Sequence, residues 1–223
     1  MDKLVRKIEI PLARHAIEKA GLYIVQKKDL DRLAEVAADA YRDYPLHNWF
    51  TKGKYDAKAS ELLMKVTLKS MIKDSIIYAD SEEMNGFAAW VPFGFKGTEA
   101  LPFLRCGGLK LFLYTGLGFV GRLLSYESYA MNLKKQFTDH YDWYLFNLSI
   151  KKDAQGKGIA SKLMRPMLQF CDDEQMVAFL ETNKEVNVGL YKHYGFNLMS
   201  SELIPTSNVM HYAMVRKPGQ IEE

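Results

Sequence analysis

Apolar residues recur along the chain with two different periods, and the changes of period mark where elements begin and end. From Asp29 onward, Leu30, Leu33, Ala34, Ala37, Ala40 and Tyr41 fall at helical spacing, so a helix is predicted with Asp29 as its cap. Tyr23, Ile24 and Val25 before it read as a short strand, and Pro45 is expected to end the helix. Residues 60–72 offer a second helix, with Leu63, Val66 and Met71 near one face. Residues 75–79 and 87–91 are β-rich, and the Asn85-Gly86 pair between them predicts a tight reversal. From 92 to 136 the pattern loosens into glycines among aromatics, as expected of short helices and loops around a cavity.

Regularity returns at 144–150, a run apolar enough to lie in mid-sheet. A polar turn and a helix over about 158–171 follow, and Pro166 is expected to kink that helix, because it removes one backbone bond at a cost of ~3 kcal/mol. Residues 177–180 read as a strand. Thr182 and Glu185 have the spacing of a capping box for a helix to Tyr194, which Gly195 can end in the left-handed conformation. Runs 196–200 and 209–215 form two last strands around Pro205. With no repeat and no linker-like stretch, the order predicts a single mixed α/β domain over 1–223.

Composition narrows the class. The 223 residues are 48% hydrophobic and 26% charged, which excludes a mostly disordered chain and allows roughly 70% of the unfolded surface to be buried. Thirty Lys and Arg against 27 Asp and Glu give +3, too little for a nucleic-acid-binding surface. The surplus is local: Lys151, Lys152, Lys157, Lys162 and Arg165 against Asp153 make 151–165 +4, leaving the rest at −1. Cys106 and Cys171 form neither a disulfide framework nor a C-x-x-C pair, and the N-terminal 25 residues are too charged for a signal peptide, so a reducing, cytoplasmic setting is expected. The longest apolar stretch, 109–124, is bracketed by Lys110 and Arg122 and too short for a bilayer core of ~30 Å. It is expected to be buried or pocket-lining, and no membrane partner is expected. His15, His47, His140, His193 and His211 are dispersed, and no metal site is expected.

The segment from Leu148 to Ala160 holds the chemistry. It reads as strand, turn and helix with Gly156 and Gly158 at the helix mouth, where unpaired N–H groups and the positive end of the helix dipole converge on one spot. Small residues there let a diphosphate approach the backbone. Gly116-x-Gly118-x-x-Gly121 also matches a dinucleotide fingerprint, but no second strand with an acidic end follows it, and coincidence is the better reading. Tyr41, Tyr44, His47, Trp49 and Phe50 could equally line an acceptor pocket or staple the core.

Gln155-x-x-Gly158-x-Ala160 after an apolar strand resembles the Q/R-x-x-G-x-G/A signature of the GNAT superfamily of acetyl-CoA-dependent N-acetyltransferases. The run from Asn187 through Tyr191 to Gly195-Phe196 is similar to its second landmark, N-x-x-x-x-Y-x-x-x-G-F. The resemblance covers 143–196 closely and 21–91 loosely, and is absent from 92 to 136. It implies a central mixed, mostly antiparallel sheet, splayed and flanked by helices, with an acetyl-CoA-binding core over 143–216 and a variable insertion at 92–137 near the acceptor site.

It further implies that Gln155, Gly156, Lys157, Gly158, Ile159 and Ala160 hold the pyrophosphate of coenzyme A. Leu148, Ser149 and Ile150 would line its pantetheine arm, with the backbone of Leu148 and Ile150 pairing to it like an added strand. Asn187 would touch the same arm, and Tyr191 would give a proton to the departing thiolate. Some relatives carry a glutamate near the start of the cradle strand, where this chain has Tyr144. Glu181 is the local substitute as general base, with Asp142 and His140 as alternatives, and each could instead be structural. The implied reaction moves an acetyl group from acetyl-CoA, as co-substrate, to an amine of a small molecule or peptide. Another acyl-CoA, an O-nucleophile or a silent CoA-binding protein are the alternatives, and a homodimer is compatible with all of them.

Overall fold

The computed structural model describes residues 2–93, 95, 103–137 and 142–219. Its centre is a seven-stranded sheet in the order β1-β2-β3-β4-β5-β7-β6. The strands are β1 (Tyr23–Ile24), β2 (Ile76–Ala79), β3 (Gly86–Pro92), β4 (Trp143–Ile150), β5 (Ala178–Thr182), β6 (Asn197–Leu203) and β7 (Met210–Arg216). Every neighbouring pair is antiparallel except β4 and β5, which run parallel. The mixed, mostly antiparallel sheet is therefore as the sequence implied.

Helices cover both faces. On one face α1 (Asp2–Lys19), α6 (Ile159–Asp173) and α7 (Glu185–His193) pack Ile17, Leu163, Met167 and Val188 against Tyr78, Trp90, Trp143 and Leu180. On the other, α2 (Leu30–Ala40) and α4 (Ala57–Met71) pack Leu33, Ala37, Met64 and Leu68 against Ile77, Phe87, Ala89 and Val91. The alternation of β2, β3 and β4 between the two clusters is the two-residue period of a sheet buried on both sides. Two further helices, α3 (Pro45–Phe50) and α5 (Leu109–Phe137), lie beside the second face and form their own cluster through Leu46, Phe50, Leu111, Phe119 and Leu123.

Several local expectations are corrected. The α1 helix gives little signal in the sequence: Pro11 sits inside it and charges crowd it, so its buried stripe, with Ala13 and Ile17, is thin. Asp29 holds the N-cap position of α2, but its side chain does not bond to the helix. Its carboxylate accepts hydrogen bonds from the Gln26 N–H (2.8 Å) and the Tyr23 hydroxyl (2.9 Å), closing the turn before the helix. Pro45 opens α3 as its first residue rather than ending α2, a position where its missing N–H has no intrahelical partner to lose. The β2–β3 hairpin is not turned tightly on Asn85-Gly86; Met84 carries the left-handed φ of 53° and Gly86 already belongs to β3.

The loosely patterned region forms a turn of π-helix at Leu104–Gly108 followed by α5, which is broken at Gly116 (φ 76°, ψ 175°) and otherwise continuous. Leu111 to Tyr114 are therefore helical, which removes the strand a dinucleotide fold requires. The apolar stretch 109–124 is only partly buried: Leu111, Phe119 and Leu123 face inward, whereas Leu113, Leu117 and Leu124 face solvent.

Candidate active site

The parallel pair β4–β5 holds together at only three positions, Trp143↔Ala178, Tyr144↔Phe179 and Leu145↔Leu180. On its other side β4 pairs with β3 along its whole length, but the register shifts so that Trp90 faces Leu145 and Ala89 faces Asn147. Phe146 is thus an extra residue in β4, a β-bulge, and such bulges bend and twist the strand that carries them. The two parallel strands separate at this bulge. Beyond it, 146–150 keeps β3 on one edge and, among the described residues, pairs with no strand on the other. The predicted splay is this gap.

The turn after β4 ends in an open helix mouth. Gly156 (φ 73°) and Gly158 (φ 78°) are both left-handed, and a Cβ on either would stand in open space rather than against protein. The Lys162 N–H bonds to the Gly158 carbonyl at the start of α6, so the amides of Gly158 to Ser161 precede the helical ladder and face out of its mouth. Gln155 donates from Nε2 to the Ile150 carbonyl (3.2 Å), tying the turn to the end of β4. Gly86 lets the helix seat here, because a Cβ on it would lie 2.8 Å from Ile159 Cγ2.

The local positive charge is partly committed elsewhere. Lys152 pairs with Asp43 (2.9 Å) while its N–H bonds to Asp39, and Lys162 Nζ donates to the Asp80 carbonyl (2.6 Å). What remains at the mouth is the row of amides with exposed Lys157 beside it.

Tyr191 reaches the gap from α7. Its ring is buried, 6.1 Å from Phe196 in an edge-on contact, and burial, reinforced by the nearby Tyr44 and Tyr41 hydroxyls, pushes its pKa up, so it stays protonated. Asn187, on the same helix, donates from Nδ2 to Thr182 Oγ1 (3.2 Å) at the end of β5. Thr182 is the last residue of that strand rather than the start of a capping box, and Lys184 holds the N-cap position of α7 without a side-chain bond. Gly195 ends the helix left-handed (φ 82°), as its sequence position implied.

Of the aromatic cluster after α2, Tyr41 and Tyr44 come to the gap. The Tyr44 hydroxyl lies 3.1 Å from Thr182 Oγ1 and accepts from the Asn183 N–H (2.9 Å). Tyr41 accepts from Asn147 on β4 and stacks on His47 at 4.1 Å. Phe50 instead packs on Phe119 and Tyr126 of α5.

Glu181 lies on the opposite face of β5 from the Tyr191 cluster, its side chain only 4% exposed. One carboxylate oxygen accepts from the Tyr144 hydroxyl (2.8 Å), and the other lies 3.3 Å from Nε2 of fully buried His211. Tyr126 and Tyr129 of α5 stand over that histidine at 6.0 and 5.4 Å. Burial and Glu181 raise the Tyr144 and Tyr126 hydroxyls well above their ordinary range, and burial, with Glu202 and Glu181, takes Tyr129 up to about 12. Tyr144 therefore donates to a carboxylate supplied from the next strand.

Asp142 is not brought to this place. It sits before β4, at the end away from the cradle, where its carboxylate accepts from the Val177 N–H (2.7 Å). His140 lies outside the described residues. Sequence reasoning misses His211, which looks like one more residue of an alternating strand, and Tyr126 and Tyr129, which lie where the hydrophobic pattern is unreadable.

Residues 113–196 match the model of the acetyltransferase (GNAT) family. An uncharacterized N-acetyltransferase of Schizosaccharomyces pombe is 25% identical over 206 residues, covering 87% of this chain and 82% of that protein. Among solved structures, the histone acetyltransferase HPA2-related acetyltransferase of Corynebacterium glutamicum superposes with a TM-score of 0.59 at 16% identity, covering 89% of this chain and 96% of the other. The PaiA N-acetyltransferase of Thermoplasma acidophilum, in complex with coenzyme A, does so with a TM-score of 0.51 at 13% identity over 88% and 97%. The family match runs through the bulged strand, the glycine mouth and α7, on a sheet shared with known acetyltransferases, and these similarities together support a GNAT-type N-acetyltransferase.

Proposed function

We propose that this enzyme transfers the acetyl group of acetyl-CoA to an amine of a small molecule or peptide by direct attack within a ternary complex. The carrying observation is the unpaired edge of β4 leading straight into an open glycine mouth. The strand edge fits an amide-bearing arm that bonds as an extra strand would, and the mouth fits a diphosphate. Leu148 and Ile150 would bind the arm through their backbones, with Ser149 between them and Asn187 across the gap. Gln155 to Ala160 would hold the diphosphate, and their side chains matter less than their amides.

The thioester then lies between two faces of the sheet. A carbon–nitrogen bond forms as the carbon–sulfur bond breaks, the amine loses one proton and the sulfur gains one. An amine of pKa about 10 arrives as ammonium and must first release one further proton, beyond the one balanced by the thiol, before it can attack. Glu181, oriented by Tyr144 and His211, is assigned as the acceptor of that proton, and protonated Tyr191 as the donor to sulfur. Tyr44 lies near both, on the acceptor side of the gap. The 92–137 insertion, through Tyr126 and Tyr129 of α5, would wall the acceptor site.

The test is Tyr191→Phe followed by thiol release and by calorimetric titration of coenzyme A. Turnover is expected to fall at least tenfold with CoA affinity within about twofold of the parent. Unchanged turnover would remove Tyr191 from the mechanism. Absence of CoA binding by the parent enzyme would overturn the reading as a whole.

A further inference from the structure

The α5 helix has two unlike faces. Leu111, Phe119, Leu123 and Leu133 are buried against the body of the protein. Exposed on the helix are Leu109 (58% exposed) and Leu113 (73%) before the break at Gly116, and Leu117 (78%), Leu124 (63%) and Met131 (50%) after it. Leu117, Leu124 and Met131 recur every seven residues, so they lie along one line of the helix. Isolated exposed leucines are ordinary, but a row of them is an interaction surface.

The charge around this row is mostly of one sign. Arg105 and Lys110 bracket Leu109 in sequence, and the turn carrying Lys52 and Lys54 is held against α5 by Arg122, which donates from Nε to the Phe50 carbonyl (3.0 Å). All four are exposed and, among the described residues, none has an ion-pair partner. The neighbouring acids are engaged locally: Glu61 with Lys58, and Asp56 with the Ala59 N–H and the Tyr114 hydroxyl. Glu127 is the single acidic residue of α5 itself. Leucines rimmed by cations are the composition of a helix that lies in the interface of an anionic bilayer.

We infer that the outer face of α5 docks this enzyme on a lipid bilayer bearing anionic headgroups. The stretch 109–124 is too short to span a bilayer, and no described helix is long and apolar enough to cross one; lying on the surface needs only one apolar face. A second copy of the chain fits less well, because a two-fold self-contact would bring the same four cations of both copies into one rim.

The experiment is co-sedimentation of the full chain with phosphatidylcholine vesicles and with vesicles containing about one third phosphatidylserine, alongside sedimentation velocity without lipid. At least tenfold stronger partition onto the anionic vesicles is expected, and Leu117→Ser/Leu124→Ser should lower it about tenfold. Lys52→Glu/Arg105→Glu should do the same, so the inference remains testable if the leucine variant fails to fold. Equal partition onto both vesicles, none onto either, or no effect of the charge reversals would overturn it. A dimer in the parent that the leucine variant dissolves would also overturn it, by assigning the face to a second copy.

Discussion

His47 shows how a single side chain can set a pH dependence. It is buried in α3, stacked on Tyr41, with Nδ1 2.7 Å from the Ser60 hydroxyl. Burial lowers its pKa from 6.5 to about 3, so the folded protein holds it neutral. The unfolded chain binds a proton there below pH 6.5 and the folded one does not, so the associated stability is complete above pH 6.5. It is lost as the pH falls towards 3, by at most about 1.4 kcal/mol per pH unit. Urea midpoints between pH 7 and 4 should fall with a slope that His47→Gln reduces by about one proton; an unchanged slope would place the titration elsewhere. From the sequence the aromatic cluster holding His47 is visible and its two readings are equally open. The core reading holds for Phe50, which packs on Phe119, while Tyr44 bonds to Thr182 at the end of β5.

Elements are readable where one period runs unbroken. The strands β2, β3, β4, β5 and β7 follow from their apolar or alternating runs, and α2, α4 and α6 from helical spacing, because each of them packs into a buried cluster. Ends are less readable, since Asp29, Pro45, Asn85-Gly86 and Thr182 each have several low-energy uses and neighbouring elements choose among them. Gly158 is the firmest of the end signals. It is left-handed at the N-cap of α6, and a Cβ placed on it would meet nothing within 4 Å. Gly158→Ala should cost about 1 kcal/mol of stability through backbone strain alone. Its added methyl projects into the mouth, so CoA affinity should drop much more than stability does. Calorimetry and thermal unfolding on the same sample would separate the two, and equal small losses would argue that the mouth holds no ligand.

At the scale of the whole molecule, one buried ion pair ties the last strand to the helix behind the cradle. Arg216 of β7, fully buried, donates both terminal nitrogens to Asp172 of α6 (2.8 and 2.6 Å) and Nε to the Tyr194 carbonyl after α7. Burial alone would raise the Asp172 pKa, but the bonds from Arg216 and the Gly219 N–H outweigh it and the carboxyl titrates below its ordinary value of 3.8. Its contribution is therefore present above that value and lost as the pH falls through the folded pKa, below most of the His47 window. Arg216→Ala leaves the partly buried carboxylate without its partner and should cost about 3 kcal/mol. Denaturant unfolding at pH 7 would check this, and a loss below about 0.5 kcal/mol would show that the pair contributes little.

Local order along the chain is enough to specify the strand, glycine mouth and helix of the CoA motif, because each of those features acts within a few residues and depends on backbone conformation. It is also enough to identify the family resemblance. The acceptor side is not accessible in that way. Glu181, Tyr144, His211 and the tyrosines of α5 come from four separate stretches of chain, and their meeting depends on the pairing of β4, β5 and β7 and on where α5 packs. Glu181 is a strand residue by pattern. Its orientation by Tyr144 and His211 arises only when β4, β5 and β7 are laid side by side, since hydrogen bonds between distant residues carry no signal in the spacing of either one.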